Sequence, residues 1–186
     1  MGFKINRVYT RTGDDGQTTL ADGKRYDKSS AVIDAIGSMD EVNTEFGNIL
    51  DYLDSQTEEL KVCILDIQQD VFDIGAELAC PNDKNVWTTT EQDVKKLEAL
   101  CDRLGKDLPE LNSFILPGGS HLVSAIHRAR VTSRKAERIF STLDANPNSL
   151  KYLNRLSDML FNMARYAIVL QNKEAILWNP KKTRQL

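Results

Sequence analysis

From about residue 30 onward, apolar residues recur along the chain at alternating spacings of three and four. This period places them on one face of an α-helix, so each stretch predicts an amphipathic helix with a buried seam. Five seams can be traced, from Met39 to Leu53, Leu60 to Leu78, Val94 to Leu104, Leu122 to Leu143 and Leu153 to Leu170. Seams of this spacing suit nearly antiparallel packing, and they predict an all-α bundle of about five helices.

Turn and capping residues separate these seams. Pro81 is expected to end the second helix, because proline disfavours the helical conformation of the residue before it. Thr90 is the expected N-cap of the third helix. The segments Pro117-Gly118-Gly119 and Asn146-Pro147-Asn148 are expected to form the breaks before the fourth and fifth helices.

The first 29 residues lack a helical period and are rich in Gly, Thr and Asp. We therefore predict a loop region there, with short extended pieces. No internal repeat or second domain is evident in the sequence. The expected organisation is one domain over residues 1–186, with an irregular arm at 1–29, a helical bundle at 30–172 and a tail at 173–186.

Composition narrows the class of protein. A hydrophobic fraction of 41% with 27% charged residues excludes a disordered chain and is enough for a sizeable core. The net charge of −3 argues against a nucleic-acid-binding module. No apolar run approaches the ~18–20 residues that cross a membrane, and no secretory signal is evident, so we expect a cytoplasmic protein.

Three cysteines without a C-x-x-C pair are expected to be reduced. Neither His121 nor His127 follows a Glu by three residues, which excludes the common di-iron site of helical bundles.

The arm carries a candidate phosphate-binding loop around Gly13 and Gly16. Glycines allow close approach to a ligand, and threonine hydroxyls and loop N–H groups can bind phosphate oxygens. Asp14 or Asp15 could hold the loop or a cation, and Lys28 could reach a phosphate. Taken alone, such a cluster is more often an ordinary turn.

The fourth helix carries a stripe of three arginines, Arg130, Arg134 and Arg138, beside Glu137, and His127 precedes them at the same spacing of three and four. Arg130 and Arg134 lie one residue beyond the apolar seam, about 100° around the helix, at the edge of the core. Stacked arginines repel one another unless anions face them. Two interpretations have equal weight: pairing with carboxylates of neighbouring helices or subunits, and a polyphosphate site. Asp40 and Glu41 on the first helix have a similar edge position.

Two further segments contain candidate site residues. Asn154 lies next to the seam of the fifth helix, where its amide requires a partner. Phe114 to Leu116 is a short apolar run in the loop before the fourth helix. Burial in the core is the favoured interpretation of Phe114, and covering an apolar ligand is the alternative.

Together these pieces resemble the PduO-type ATP:cob(I)alamin adenosyltransferases. The resemblance covers most of the chain, and five collinear motifs make it specific. The motifs are residues 9–18 (YTRTGDDGQT), 37–43 (GSMDEVN), 114–119 (FILPGG), 134–138 (RKAER) and 153–158 (LNRLSD). The departure is Lys135, where the family commonly has a second arginine.

The resemblance implies a five-helix, ferritin-like bundle that forms a homotrimer and binds Mg-ATP at each subunit interface. Mg²⁺ would be held mainly by the triphosphate and not by a protein metal site. The ATP-binding role is implied for Thr10, Arg11, Thr12, Gly13, Asp14, Gly16, Thr18, Thr19, Lys28, Arg134, Lys135, Glu137, Arg138 and Asn154. The resemblance pairs Asp40 with Arg130 across the interface beside cobalamin, and it makes Phe114 the residue that displaces the lower axial ligand. Arg134, Phe114, Asp40 and Arg130 are thus the implied catalytic residues.

The implied reaction is attack of cob(I)alamin cobalt on the 5′ carbon of ATP, which forms adenosylcobalamin and releases triphosphate. Because the cobalt is the nucleophile, the protein has only to position the reactants and stabilise charge on the leaving group. A corrinoid reductase and an acceptor enzyme that uses adenosylcobalamin are the implied partners. The alternatives are a non-catalytic helical adaptor and an ATP-dependent transferase that does not use a corrinoid.

Overall fold

The computed structural model describes residues 9, 11–81, 83 and 85–181, which form five long helices and one short hairpin. The elements are β1 Gln17–Thr19, β2 Arg25–Asp27, α1 Ala31–Asp51, α2 Lys61–Ala79, α3 Glu91–Gly105, α4 His121–Phe140 and α5 Pro147–Leu170. A single 3-10 turn at Glu58–Leu60 leads into α2. The predicted all-α bundle of five helices with an irregular arm is confirmed.

Local capping explains where the later helices begin. Thr90 is the N-cap of α3, as the sequence predicts, and it forms a capping box with Asp93. The Ser120 hydroxyl accepts the Val123 N–H at the start of α4. The expected turn before α5 is partly wrong: Asn146 is the N-cap and Pro147 is already the first helical residue. Proline fits that position because its missing N–H would have no helical partner there.

The helices pack in the spatial order α2, α1, α4, α5, α3, with α4 in the middle. Their seams form one core, in which the largest fully buried side chains include Phe46, Leu156 and Tyr152. The Tyr152 hydroxyl donates to Asp70 at 2.8 Å, which satisfies its polar end. None of the helices in the described ranges combines the length and the apolar composition that a bilayer span requires.

The arm and the tail attach to different parts of the bundle. In the arm, β1 and β2 pair antiparallel with Thr18 opposite Tyr26, and the Ala21 N–H donates to the Ala79 carbonyl at the end of α2. In the tail, the Trp178 N–H donates to the carbonyl of Phe114 at 2.7 Å. The tail therefore pairs with the loop that precedes α4.

Candidate functional site

A cleft of about 480 Å³ lies between α4 and α5. We call it the α4–α5 cleft, and it is lined by Arg134, Glu137, Arg138, Ser141, Leu150, Lys151, Asn154 and Arg155. Four of the helical residues predicted to bind ATP thus lie together although they come from two helices. Lys151 adds a further cation that the sequence analysis missed.

Asn154 is held at the cleft by two charged side chains. Its Nδ2 donates to Glu137 Oε1 at 2.8 Å, and its Oδ1 accepts from Arg155 Nη1 at 2.6 Å. Arg155 is held in turn by Glu98 of α3, at 2.8 Å. The amide thus has the partners that its position next to the seam requires.

Two basic residues of α4 are paired with carboxylates of α1. Arg128 donates to Glu45 at 2.7 Å, and Lys135 to Glu41 at 2.8 Å. These carboxylates raise the pKa of both basic groups, mainly through hydrogen bonds. Lys135 does not line the α4–α5 cleft, so the structure does not bring it to the other predicted ATP-binding residues.

The three residues of the arginine stripe have no such partners. Within the part of the chain that the structure describes, no carboxylate lies within 4.0 Å of Arg130, Arg134 or Arg138 as an ion pair. Burial, followed by the like charge of Arg134, lowers the pKa of Arg130. Pairing with neighbouring helices of the same chain therefore explains Arg128 and Lys135 and does not explain the stripe.

Close packing shapes the predicted phosphate loop of the arm. A Cβ atom on Gly13 would lie 2.8 Å from the Gln17 carbonyl oxygen, and the Lys28 ammonium donates to the Gly13 carbonyl at 2.7 Å. Gly16 has a φ of +85°, which favours glycine. Asp15 accepts from the Gln17 N–H, and this bond is the largest cause that lowers the pKa of Asp15. Asp15, and not Asp14, is therefore the residue that fixes the loop.

The described part of the arm does not reach the lining of the α4–α5 cleft. Arg11, Thr12 and Asp14 are exposed, and Thr18 and Thr19 lie in β1. Thr10 lies outside the described residues.

Phe114 is exposed, with 78% of its surface accessible, so the expectation of core burial is wrong. The loop containing it is paired with the tail, which holds the ring at the surface. Its ring packs edge-on against Trp178, with centroids 6.0 Å apart. An exposed apolar surface results, which we call the Phe114 patch, formed by Phe114, Leu116, Ile176, Leu177 and Trp178.

Asp40 and Arg130 occupy neighbouring helices, α1 and α4. Asp40 is exposed and Arg130 is half-buried. Among the described residues no ion pair joins the two side chains. The Nε of Arg130 instead donates to Nδ1 of His127 at 3.3 Å.

Comparison with known proteins identifies the family. A family model described as cobalamin adenosyltransferase matches residues 8–167. The chain therefore belongs to the cobalamin adenosyltransferase family. The predicted resemblance to the PduO-type enzymes is confirmed.

Full-length relatives and a solved structure agree with the family assignment. The corrinoid adenosyltransferase of Mycobacterium tuberculosis is 40% identical over 191 residues, 97% of this chain and 96% of that protein. The corrinoid adenosyltransferase of Bacillus subtilis is 41% identical over 165 residues, 86% of this chain and 85% of that protein. A variant PduO-type ATP:corrinoid adenosyltransferase from Lactobacillus reuteri, solved in complex with cobalamin and ATP, superposes with a TM-score of 0.88 and 35% identity, covering 94% of this chain and 100% of that chain.

Three residues of this cobalamin adenosyltransferase were not singled out as site residues from the sequence. Lys151 lies one turn before Asn154 on α5, a spacing that could have placed it on the same face. No sequence pattern indicates a site role for Trp178, because its contact with Phe114 joins two irregular segments. His127 shares the helical spacing of the arginine stripe, but its burial beside Arg130 is apparent only in the folded chain.

Proposed function

We propose that this chain transfers the 5′-deoxyadenosyl group of ATP to the cobalt of cob(I)alamin, forming adenosylcobalamin and releasing triphosphate. The observation that carries the proposal is the arginine stripe, whose guanidinium groups have no carboxylate partners in the described chain. A cleft lined by Arg134, Arg138 and Lys151 is complementary to a polyphosphate. Membership of the cobalamin adenosyltransferase family supports the corrinoid as the second substrate.

The chemistry divides between the substrates and the protein. The cobalt of cob(I)alamin supplies the electron pair that forms the Co–C bond to the 5′ carbon of ATP. The bond from that carbon to the bridging oxygen breaks, and its electron pair leaves with the triphosphate. Arg134 and Arg138 stabilise the negative charge on the leaving group, and Asn154 orients the phosphates beside them.

A neighbouring copy supplies the arm in the proposed assembly, a homotrimer with one ATP at each interface. The described arm residues do not line the α4–α5 cleft of their own chain, which supports this arrangement. The loop around Gly13 and Gly16, with Thr10, Thr18 and Lys28, would then contact the phosphates from the opposite side. Mg²⁺ would enter with ATP, bound mainly by its phosphate oxygens.

The corrinoid would lie against the Phe114 patch. An apolar ring at this face would displace the lower axial ligand of cobalamin and exclude water from the cobalt, which makes reduction to cob(I)alamin easier. The exposure of Phe114 and its contact with Trp178 support this role. Asp40 of one copy would pair with Arg130 of the next beside the corrinoid, and the lack of an Asp40–Arg130 pair within the described chain is compatible with that.

Two partners complete the proposed cycle. A one-electron reductase of corrinoids would supply the electron that converts cob(II)alamin to cob(I)alamin. An enzyme that uses adenosylcobalamin would accept the product.

The direct test is an absorbance assay with chemically reduced cob(I)alamin and Mg-ATP, together with calorimetric titration of Mg-ATP into the protein. We expect conversion of the cob(I)alamin spectrum to that of adenosylcobalamin, and heat on titration. AMP, which lacks the triphosphate, is the matched control and should give no product. Heat without turnover would point to an ATP-dependent transferase with another acceptor. Neither heat nor turnover would indicate a non-catalytic adaptor.

A further inference from the structure

A histidine is buried in α4 directly beside the arginine stripe. His127 has only 4% of its surface exposed. Its Nδ1 accepts the Nε–H of Arg130 at 3.3 Å, and its Nε2 is buried without a hydrogen-bond partner among the described residues. Because Nδ1 accepts, the imidazole proton must lie on Nε2.

This arrangement is unfavourable for folding. Val123 and Ile126 in the same part of the helix are fully buried and apolar, so an aliphatic side chain would suit the position. A buried polar group without a partner destabilises the fold by about 1–3 kcal/mol. Among the described residues, the imidazole makes its one polar contact with Arg130. The unfavourable burial of His127 therefore comes with a single hydrogen bond, and that hydrogen bond holds Arg130.

The charge state of His127 agrees with this contact. Burial, and next the positive charge of Arg130, lower the pKa of His127 to about 4. At neutral pH the imidazole is therefore uncharged, and only the uncharged ring has a lone pair that can accept from a guanidinium.

We propose that His127 is a positioning residue that fixes the guanidinium of Arg130 by its Nε end. The two terminal nitrogens of that guanidinium are then left to bind a carboxylate side by side. Without the histidine, repulsion from the neighbouring Arg134 would turn Arg130 toward solvent. This proposal rests on the proposed function, in which Arg130 pairs with Asp40 of the next copy beside the corrinoid.

Two substitutions separate positioning from a structural role. His127→Leu removes the acceptor and fills the space with apolar atoms. His127→Asn keeps an acceptor oxygen near the position of Nδ1. Ser133→Ala is the control, because the Ser133 hydroxyl donates to the backbone carbonyl of Arg130 and not to its guanidinium.

Steady-state kinetics should be measured with cob(I)alamin and with ATP as the varied substrate, together with melting temperatures. For His127→Leu we expect kcat/KM for cob(I)alamin to fall about tenfold, KM for ATP to change less than about twofold, and the melting temperature to stay the same or rise. His127→Asn should recover most of the corrinoid kinetics, and Ser133→Ala should match the unsubstituted protein. Adding His127→Leu to Arg130→Ala should cause no further loss.

The possible failures can be told apart. If Arg130→Ala impairs corrinoid kinetics and His127→Leu does not, the positioning role is wrong and the proposed function is unaffected. If Arg130→Ala is fully active, the Asp40–Arg130 pair of the proposed function is wrong as well. A fall in melting temperature with equal losses toward both substrates, unrelieved in His127→Asn, would show that the histidine is structural.

Discussion

Each residue of an α-helix is rotated by about 100° from the one before it, so adjacent side chains of α4 have different surroundings. Arg134 lines the α4–α5 cleft, whereas Lys135 faces α1 and binds Glu41. Both residues belong to the motif at 134–138, which implies ATP binding for each. Only the position of the neighbouring helices distinguishes them. The pair therefore offers a matched test of the cleft.

Arg134→Ala should lower kcat/KM for ATP by at least about 100-fold, because a charge-assisted contact to a leaving group contributes several kcal/mol in the transition state. Lys135→Ala, the control, should change it by less than about threefold. Steady-state kinetics with varied ATP checks both variants. Near-normal kinetics in a folded Arg134→Ala protein would remove this residue from the site.

Phe114→Ala should leave the protein folded, with a loss of stability well below the ~3–5 kcal/mol that truncation of a core phenylalanine costs, because the ring is exposed. We expect the variant to bind ATP normally and to fail chiefly when cob(II)alamin must be reduced on the protein. Chemically reduced cob(I)alamin has already passed that barrier, so activity with it should be much less impaired.

Calorimetric titration of ATP, thermal unfolding and the two cobalamin assays together check the Phe114 prediction. Equal losses in both assays with a sharply lowered melting temperature would contradict it.

The buried imidazole of His127 also predicts a pH dependence of stability. Its pKa is about 4 in the folded chain and near 6.5 when unfolded, so between these values the unfolded state binds one more proton. This contribution is fully present above pH 6.5 and is lost as the pH falls toward 4, by about 1.4 kcal/mol per pH unit. Urea unfolding of the original protein and His127→Asn at several pH values should show that slope reduced in the variant. Parallel slopes would contradict a neutral buried histidine.

At the scale of elements, the sequence predicts the features that depend on local patterns, such as helical period and capping. The 3.6-residue period locates all five helices, and the capping role of Thr90 follows from its own chemistry. The pairing of the tail with the Phe114 loop could not be predicted, because neither segment has a periodic pattern. The Phe114 run itself looked like core, since its apolar residues carry no indication that a distant segment holds them at the surface.

The N-terminus of α5 is tied to α2 and to the loop before α3 through Asn146. Its Nδ2 donates to Glu77 of α2 at 2.8 Å and to the Thr89 carbonyl at 2.9 Å, while its Oδ1 caps the helix. Asn146→Ala should therefore lower the free energy of unfolding by about 2 kcal/mol. Asn148→Ala is the control, since its side chain makes only a 3.4 Å contact, and should cost less than about 0.5 kcal/mol. Denaturant unfolding measures both, and equal values would contradict the role of Asn146.

At the scale of the whole molecule, the two predicted parts of the ATP site, the arm and the α4–α5 cleft, are not brought together among the described residues. The α4–α5 cleft could be predicted in part, because Arg134 and Arg138 follow helical spacing and Asn154 lies at the edge of the next seam. The joining of arm and cleft was implied only by the family resemblance, since no local pattern encodes contacts between copies.

Assembly can be tested with the charges of Asp40 and Arg130. Asp40→Asn should weaken corrinoid turnover more than ATP binding, because the proposed pair lies beside the corrinoid. Exchanging the charges, with Asp40→Arg and Arg130→Asp together, should recover part of the loss relative to either single charge reversal. Kinetics and sedimentation check this prediction, and a fully active monomer would contradict the assignment of the pair to an interface.

The contact between the tail and the Phe114 loop has a consequence for biosynthesis. The Ser113 hydroxyl binds the carbonyl of Trp178, 65 residues further along the chain and beyond the last helix. A ribosome therefore completes all five helices before it makes the partner of this loop. Domains fold as their chain emerges, so the α4–α5 cleft can form on a nascent subunit that still lacks the Phe114 patch. A newly made subunit would thus acquire the surface for its nucleotide before the surface for its corrinoid.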